Sequence, residues 1–203
     1  MTSEVKLLSC GPKAVLAELS AGSTAHVANF LRETNEEIRT AVPAHETVLL
    51  EFVELRPSDE EVRELIDVAL SQPPAATDSN LVEIKVTYDG EDLAAVALAT
   101  GLSPEAVVTL HSEALYEAAF CGFAPGFAYL TGLPLELHLP RREQPRDRVP
   151  RGSVAIAGEY AGVYPSASPG GWHLLGNSTA TLFDPDRANP AMISPGDRVR
   201  FVR

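Results

Sequence analysis

The chain has 203 residues, of which 45% are hydrophobic and 22% charged, as is usual for a globular protein of one large or two small domains. Its formal net charge of −12 argues against nonspecific binding of DNA or RNA, which requires a basic surface. The sequence contains neither a stretch of 18 apolar residues nor a basic segment leading into an apolar one, so we expect no membrane span and no secretory signal.

The first third of the chain predicts a small α+β domain. Apolar residues recur at helical spacing from Thr24 through Ile38 and predict a helix that ends before Pro43. Ser58 and Glu61 have the spacing of a capping box, which predicts the start of a second amphipathic helix. Three segments have the composition of strands: Val5–Leu8, Ala14–Leu19 and Glu46–Val53.

A linker is predicted over residues 71–80, where two prolines and several small residues show no periodic apolar face. We therefore expect two domains, 1–80 and 81–203. In the second, Leu81–Tyr88 alternates as a strand, and Asp92–Thr100 predicts a short helix with Gly101 as its stop. A capping Ser103 followed by proline predicts the start of another helix.

Helix periodicity is absent from Tyr116 onward, and short strands separated by Gly and Pro are predicted instead. Regularly interrupted strands of this kind favour a barrel or a sandwich. The candidates are Tyr116–Phe120, Ser153–Ala157, Val163–Tyr164, Leu174–Leu175, Thr179–Phe183 and Arg198–Val202. A tight turn is predicted at residues 195–197, directly before the last strand.

The segment between Cys121 and Ser178 concentrates Gly, Pro, aromatic and Arg residues, and we expect the function to lie there. Residues 141–151 hold five arginines and two acids, a local net charge of +3 in an acidic protein. Guanidinium groups such as those of Arg141 and Arg146 suit a carboxylate or a phosphate. The alternative is a solvated loop whose arginines pair with nearby acids.

Aromatic and glycine residues in the same region predict a binding surface. Tyr129 either offers its hydroxyl on the floor of a cleft or belongs to a loop that packs into the core. Gly170 and Gly171 could reach unusual backbone angles and present N–H groups to an anion, beside a Trp172 that stacks on a planar ligand. The alternative is a tight turn with Trp172 packed inside.

Several polar side chains are candidates for catalysis or ligand contact. His111 and His173 are possible general bases, because imidazole titrates near neutral pH. Ser153 and Ser168 are candidate hydroxyl contacts. The chain contains none of the motifs GxxxxGK[ST], GxGxxG and GxSxG, which argues against a P-loop, a Rossmann site and a nucleophile elbow.

The two cysteines, Cys10 and Cys121, lie far apart, and no Cys/His spacing matches a zinc site. We therefore predict no metal centre. Two isolated thiols in a chain without a signal segment indicate reduced cysteines in a cytoplasmic protein.

Four long motifs in order resemble one family, which contains the B-type subunits of 5-oxoprolinase and is also called allophanate hydrolase subunit 1 or the sporulation kinase inhibitor family. They are GFAPGFAYLTGLP from Gly122, VPRGSVAIAG from Val149, GVYPSASPGGWHLLG from Gly162 and SPGDRVRF from Ser194. The resemblance extends over about the whole chain. It departs from the pattern at His173 and Asn177, where the family has arginine, and at Arg151, where a small residue is common.

The resemblance implies an α+β fold in which a small N-terminal α+β domain precedes a cyclophilin-like β-barrel related to a carboxyltransferase domain. It also implies an enzyme subunit, half of a hetero-oligomeric hydrolase that opens 5-oxoproline to glutamate with ATP, and with Mg. The expected partner is the C-type subunit of 5-oxoprolinase, a homologue of allophanate hydrolase subunit 2, with a third lactam-hydrolase subunit contributing. Arg141, Ser168, Gly170 and Gly171 would then line the site with the catalytic candidates His111, Tyr129 and Arg146.

Two further hypotheses belong to other classes. The inhibitor branch of the family implies a binding module that inhibits a histidine kinase. The chain could also be a structural partner whose companion carries every catalytic residue.

Overall fold

The computed structural model describes residues 5–20, 22–73 and 80–203, and the chain divides into two compact units, Met1–Asp78 and Ser79–Arg203. The domain boundary predicted at residue 80 falls beside this division. Residues 74–79 of the predicted linker lie outside the described residues.

The first unit packs two helices against a four-stranded antiparallel sheet. In sheet order the strands are β1 (Lys6–Ser9), β2 (Ala14–Glu18), β4 (Thr47–Phe52) and β3 (Ile38–Pro43), and the helices are α1 (Thr24–Thr34) and α2 (Asp59–Ser71). Alternate residues of β4 are buried together with the apolar stripes of both helices. The capping box is confirmed, because the Ser58 N–H donates to the Glu61 carboxylate at 2.8 Å and the Glu61 N–H donates to Ser58 Oγ at 3.3 Å.

The predicted extension of the first helix through Ile38 is wrong. The helix ends at Thr34 because Asn35 takes an extended backbone conformation, and the Asn35 side chain accepts a hydrogen bond from the Glu37 N–H at 2.9 Å. The chain then enters β3, whose Ile38 lies opposite Phe52 of β4. Leu31 and Ile38, seven residues apart, therefore belong to two different elements, although both are buried in the same core.

The second unit is a curled seven-stranded sheet with two helices. The strand order is β12 (His173–Asn177), β9 (Ser153–Ala157), β10 (Tyr160–Val163), β7 (Ala128–Thr131), β6 (Tyr116–Cys121), β13 (Arg198–Val202) and β5 (Leu81–Lys85). The helices are α3 (Leu93–Thr100) and α4 (Pro104–Glu113). A separate ribbon pairs β8 (Arg146–Val149) with β11 (Ser168–Gly170). All these pairs are antiparallel except β13 with β5.

The two ends of this sheet meet, which gives it the form of a barrel. Thr87, just beyond β5, exchanges two backbone hydrogen bonds of 2.8 Å with Asn177 of β12. The approach is close, since a Cβ on Gly176 would lie 2.3 Å from the Thr87 carbonyl oxygen. The predicted fold class, α+β with a C-terminal β-barrel, is confirmed.

The strand predictions in this unit were partly correct. Ser153–Ala157 and Arg198–Val202 are strands with the predicted bounds, and the helix that ends at Gly101 in a left-handed conformation is also confirmed. The predicted strand Thr179–Phe183 is wrong, because in it only Phe183 makes a single bridge, to Ala191. Strands β7, β8 and β11 were not predicted. Arg, Pro or Gly interrupts the apolar alternation in β8 and β11, and β7 has only four residues and lies between Gly126 and Gly132.

Within the described ranges, no single helix has both the length and the hydropathy that a membrane span requires. Helices α3 and α4 meet the length and hydropathy requirements only when they are taken together, and the pair is bent by 94°.

Candidate functional site

A small cleft in the second unit brings together half of the residues predicted for a site. Its volume is about 60 Å³. The lining residues are Phe123, Phe127, Tyr129, Arg141, Tyr164, Gly170, Gly171 and Trp172. Of these, Tyr129, Arg141, Gly170, Gly171 and Trp172 were predicted from the sequence as site residues, whereas the role of Tyr164 was not predicted.

The wall of the cleft is a packed aromatic cluster. Trp172 is 5% exposed and meets the Phe127 ring edge-on at a centroid distance of 5.4 Å. Tyr129, on β7, stacks on Phe120 of β6 at 4.4 Å. Trp172 is thus packed inside, as the alternative prediction for this turn stated. The cluster offers ring edges and one rigid apolar wall to a small ligand.

Gly170 is required by a close approach and not by an unusual backbone angle. A Cβ at this position would lie 2.3 Å from the Tyr164 hydroxyl oxygen, and neither Gly170 nor Gly171 has a positive φ. The expectation of unusual angles at this pair is therefore wrong. The Gly171 carbonyl accepts a hydrogen bond from the Arg142 N–H at 2.8 Å, so this turn fixes the arginine-rich segment beside the cleft.

Arg141 is the positive charge of the cleft. Its side chain is exposed and lines the cavity, and among residues 5–20, 22–73 and 80–203 it makes no hydrogen bond or ion pair. Nearby, burial raises the pKa of Tyr164, and the Trp172 backbone N–H and the Arg141 charge oppose this only in part. The cleft therefore combines a neutral phenol with an unpaired guanidinium, a set that favours a small anion.

Arg142 and Arg146 turn away to a buried carboxylate that the sequence did not reveal. Asp92 accepts hydrogen bonds from Arg142 Nη1 at 2.7 Å, from Arg146 Nη2 at 2.8 Å and from the Leu174 N–H at 2.7 Å. Burial raises the pKa of Asp92, but the hydrogen bonds from Arg146 and Leu174 and the two positive charges outweigh it and lower the pKa below its usual value.

This arrangement places Arg146 as an anchor and not in the cleft. Its side chain is 16% exposed and also contacts Glu91 at 3.3 Å, so its guanidinium is occupied by two carboxylates. The alternative interpretation of the loop, arginines paired with nearby acids, thus holds for Arg142 and Arg146. It does not hold for Arg141.

His111 lies in the barrel core, and the structure does not bring it to the cleft. It is fully buried on the inner face of α4, with Nδ1 2.8 Å from the Tyr88 hydroxyl and its ring 4.5 Å from that of Phe201. Burial lowers the pKa of His111 to about 3, so the imidazole is neutral at physiological pH.

The remaining predicted residues support the loops around the cleft. His173 Nε2 donates to the Pro140 carbonyl at 2.9 Å, which ties β12 to the residue before Arg141. Ser153 Oγ donates to the Pro150 carbonyl at 2.9 Å. Ser168 Oγ is buried on β11 without a hydrogen-bond partner in the described part of the chain.

A larger cavity lies in the first unit, but it contains fewer candidate functional side chains. It has a volume of about 550 Å³ between α1 and α2, and Phe30, Leu65 and Val68 form its apolar surface. None of its lining residues was predicted to act, and in the described ranges no group of three or more His, Cys, Asp or Glu side chains is placed to hold a metal ion. We therefore place the candidate site in the second unit.

The sequence from residue 5 to residue 193 matches the family described as carboxyltransferase domain, subdomain C and D. Over 128 residues the chain is 53% identical to the B-type subunit of 5-oxoprolinase from Escherichia coli O157:H7, a match that covers 62% of this chain and 59% of that protein. It is 45% identical over 126 residues to the corresponding 5-oxoprolinase subunit of Bacillus subtilis, covering 61% and 52%. The matched part thus spans a little over half the length of these relatives.

Three solved structures are similar to this chain. The crystal structure of TTHA0988 is 38% identical, with a TM-score of 0.80 over 94% of this chain and 39% of that one. The uncharacterized protein PH0987 from Pyrococcus horikoshii is 35% identical, with a TM-score of 0.59 over 97% and 96%. Kluyveromyces lactis urea carboxylase, at 16% identity and a TM-score of 0.69 over 98% of this chain and 21% of that one, shares the fold.

Proposed function

Because this chain belongs to the carboxyltransferase domain family, subdomains C and D, and matches proteins named as B-type subunits of 5-oxoprolinase, we propose that it is a subunit of a 5-oxoprolinase. In this proposal the enzyme opens the lactam of 5-oxoproline to glutamate at the expense of ATP. The chain works with a homologue of allophanate hydrolase subunit 2, which we call the companion subunit. A third lactam-hydrolase subunit contributes to the reaction.

The observation that carries the proposal is the unpaired Arg141 in an aromatic-walled cleft. The substrate, 5-oxoproline, is a small ring with one carboxylate. A guanidinium binds a carboxylate through two parallel N–H···O hydrogen bonds, and the wall formed by Phe127, Tyr129 and Trp172 suits the ring beside it. The role of this chain is then to hold and orient the substrate through its carboxylate.

The cleft that contains Arg141 does not fit a nucleotide. The cleft holds about 60 Å³, whereas pockets for drug-sized ligands measure about 300–1,000 Å³, and the sequence has no P-loop motif. We therefore assign to this cleft only the small anionic end of the substrate. ATP, with Mg, would bind in the complex on surface that the other subunits supply.

The test uses the chain co-expressed with the companion subunit and the third subunit, and measures ATP hydrolysis and glutamate release that depend on 5-oxoproline. We expect Arg141→Ala to raise KM for 5-oxoproline by about 10- to 100-fold, the value of one lost charge-assisted hydrogen-bonded contact. Arg200→Ala is the matched control, because that exposed arginine lies in the same unit and has only a loose contact of 3.9 Å to Glu83.

Two outcomes would count against the proposal in different ways. Failure of the assembled wild-type complex to turn over 5-oxoproline would refute the proposed function. Turnover with the same KM in Arg141→Ala and in the wild type would instead remove the cleft from substrate binding and favour a purely structural role for this chain.

A further inference from the structure

Phe123 combines a strained backbone with an exposed aromatic side chain at the mouth of the cleft. Its φ is 69°, and within the described ranges it is the one residue other than glycine with a positive φ. The Ala124 N–H donates to the Gly122 carbonyl at 2.8 Å, which closes a γ-turn around Phe123. The side chain is 59% exposed. Strain of this kind is found preferentially at binding sites, where the conformation serves a contact.

A second exposed aromatic residue lies beside this turn. The backbone at Leu182 and Phe183 lies so close to Gly126 that a Cβ there would be 2.7 Å from the Phe183 Cβ. Phe183 is 38% exposed. Aromatic residues are enriched at protein interfaces relative to the rest of the surface, so two exposed rings on adjacent loops point to a contact with a partner.

An arginine without a carboxylate lies beside the loop that carries Phe183. Arg151 is exposed and donates to Thr181 Oγ1 at 3.3 Å, two residues from Phe183, and has no acidic partner in the described part of the chain. We call Phe123, Phe183 and Arg151 the Phe123 patch. It is an apolar centre with a positive edge on a protein whose formal net charge is −12.

We propose that the Phe123 patch is the docking surface for the companion subunit, an inference that rests on the proposed function. The partner would present an apolar hollow for the Phe123 ring, flanked by carboxylates that meet Arg151. Charge complementarity supports this occupant, since an unpaired cation in an acidic protein favours an acidic face.

The extent of the fold in its relatives points the same way. This chain matches 39% of the chain of TTHA0988, so the fold occurs there beside a longer stretch of protein. Phe123 also lines the cleft that contains Arg141, and that cleft is too small to enclose a ring by itself. A partner on the Phe123 patch would supply its missing wall.

The experiment measures the Kd between this chain and the purified companion subunit, without substrate. We expect Phe123→Gly, Phe183→Ala and Arg151→Glu each to weaken binding by at least 10-fold. The Tm of the isolated Phe123→Gly chain checks that it folds: glycine adopts a positive φ without strain, which offsets part of the packing lost when the Phe123 ring leaves Phe127 and Tyr164. Leu98→Ala, at an exposed leucine on α3, is the control and should bind as the wild type does.

An unchanged Kd in Phe123→Gly, or an equal loss in Leu98→Ala, would overturn the docking surface. So would a dimer of the wild-type chain, measured by light scattering, that Phe123→Gly disperses, because the occupant would then be a second copy. A complex that forms through the Phe123 patch but does not turn over 5-oxoproline would contradict the proposed function alone.

Discussion

Asp92 should be among the costliest residues to replace in the second unit. Its side chain is 6% exposed and accepts three hydrogen bonds of 2.7–2.8 Å, two of them from arginines. Asp92→Ala would leave both guanidinium groups without their shared counterion. Neither arginine can easily compensate, because Arg142 Nε and Arg146 Nη1 are already buried without a partner in the described part of the chain.

The expected loss in the free energy of unfolding is about 3–5 kcal/mol, the usual cost of removing one partner from a buried ion pair. Urea denaturation followed by tryptophan fluorescence measures it directly. Trp172 is the only tryptophan of the chain and lies in the same unit as Asp92, so its signal reports that unit.

The control is an ion pair of equal length in an exposed position. Glu105 contacts Arg203 at 2.7 Å, the same distance as Asp92 to Arg142, but the Glu105 side chain is 73% exposed. Water screens such a pair, so Glu105→Ala should cost less than about 1 kcal/mol. Equal losses in Asp92→Ala and Glu105→Ala would refute the reasoning, because burial would then have no effect on the strength of the network.

Two further predictions concern buried titratable groups. The His111 imidazole of the unfolded chain takes up a proton below about pH 6.5, whereas that of the folded chain does so only near pH 3. The free energy of unfolding should therefore fall by about 1.4 kcal/mol for each unit by which the pH is lowered between these values. Urea midpoints from pH 7 to pH 4 measure this slope, and it should flatten in His111→Gln; an unchanged slope would contradict the assignment. Burial raises the pKa of Cys121 to about 11, so a thiol reagent at pH 8 should label exposed Cys10 at once and Cys121 slowly. Comparable rates in the wild type and in Cys10→Ser would show that Cys121 is accessible.

Local motifs in the sequence predicted the walls of the cleft but not its charge balance. Tyr129, Gly170 and Trp172 lie in Gly- and Pro-rich segments whose composition is itself unusual, so the sequence draws attention to them. Asp92 precedes an ordinary apolar helix and lies 50 residues from Arg142 in sequence. Only the folded chain brings the two together, and no spacing rule connects them.

His111 shows the opposite case, in which a chemically suggestive residue serves packing. It lies four residues after Val107 and three after Val108, and all three are buried on one face of α4. That spacing is typical of the apolar stripe of a helix, and it could have indicated a core position from the sequence. Strand β3 could not be predicted in the same way, because its Ile38 is buried in the same core as Leu31 of α1 and lies at helical spacing from it.

Neighbouring side chains along the arginine-rich segment point in different directions. This explains how an acidic protein keeps one cation in its cleft. Arg142, held by Asp92, and the Gly171 carbonyl fix the backbone next to Arg141, and His173 fixes it at Pro140 on the other side. The buried carboxylate thus neutralises the neighbouring arginines while immobilising the segment that carries Arg141. A rigid backbone reduces the entropy that would be lost if Arg141 binds the proposed anion, so a single guanidinium on this support should bind it better than one on a flexible loop.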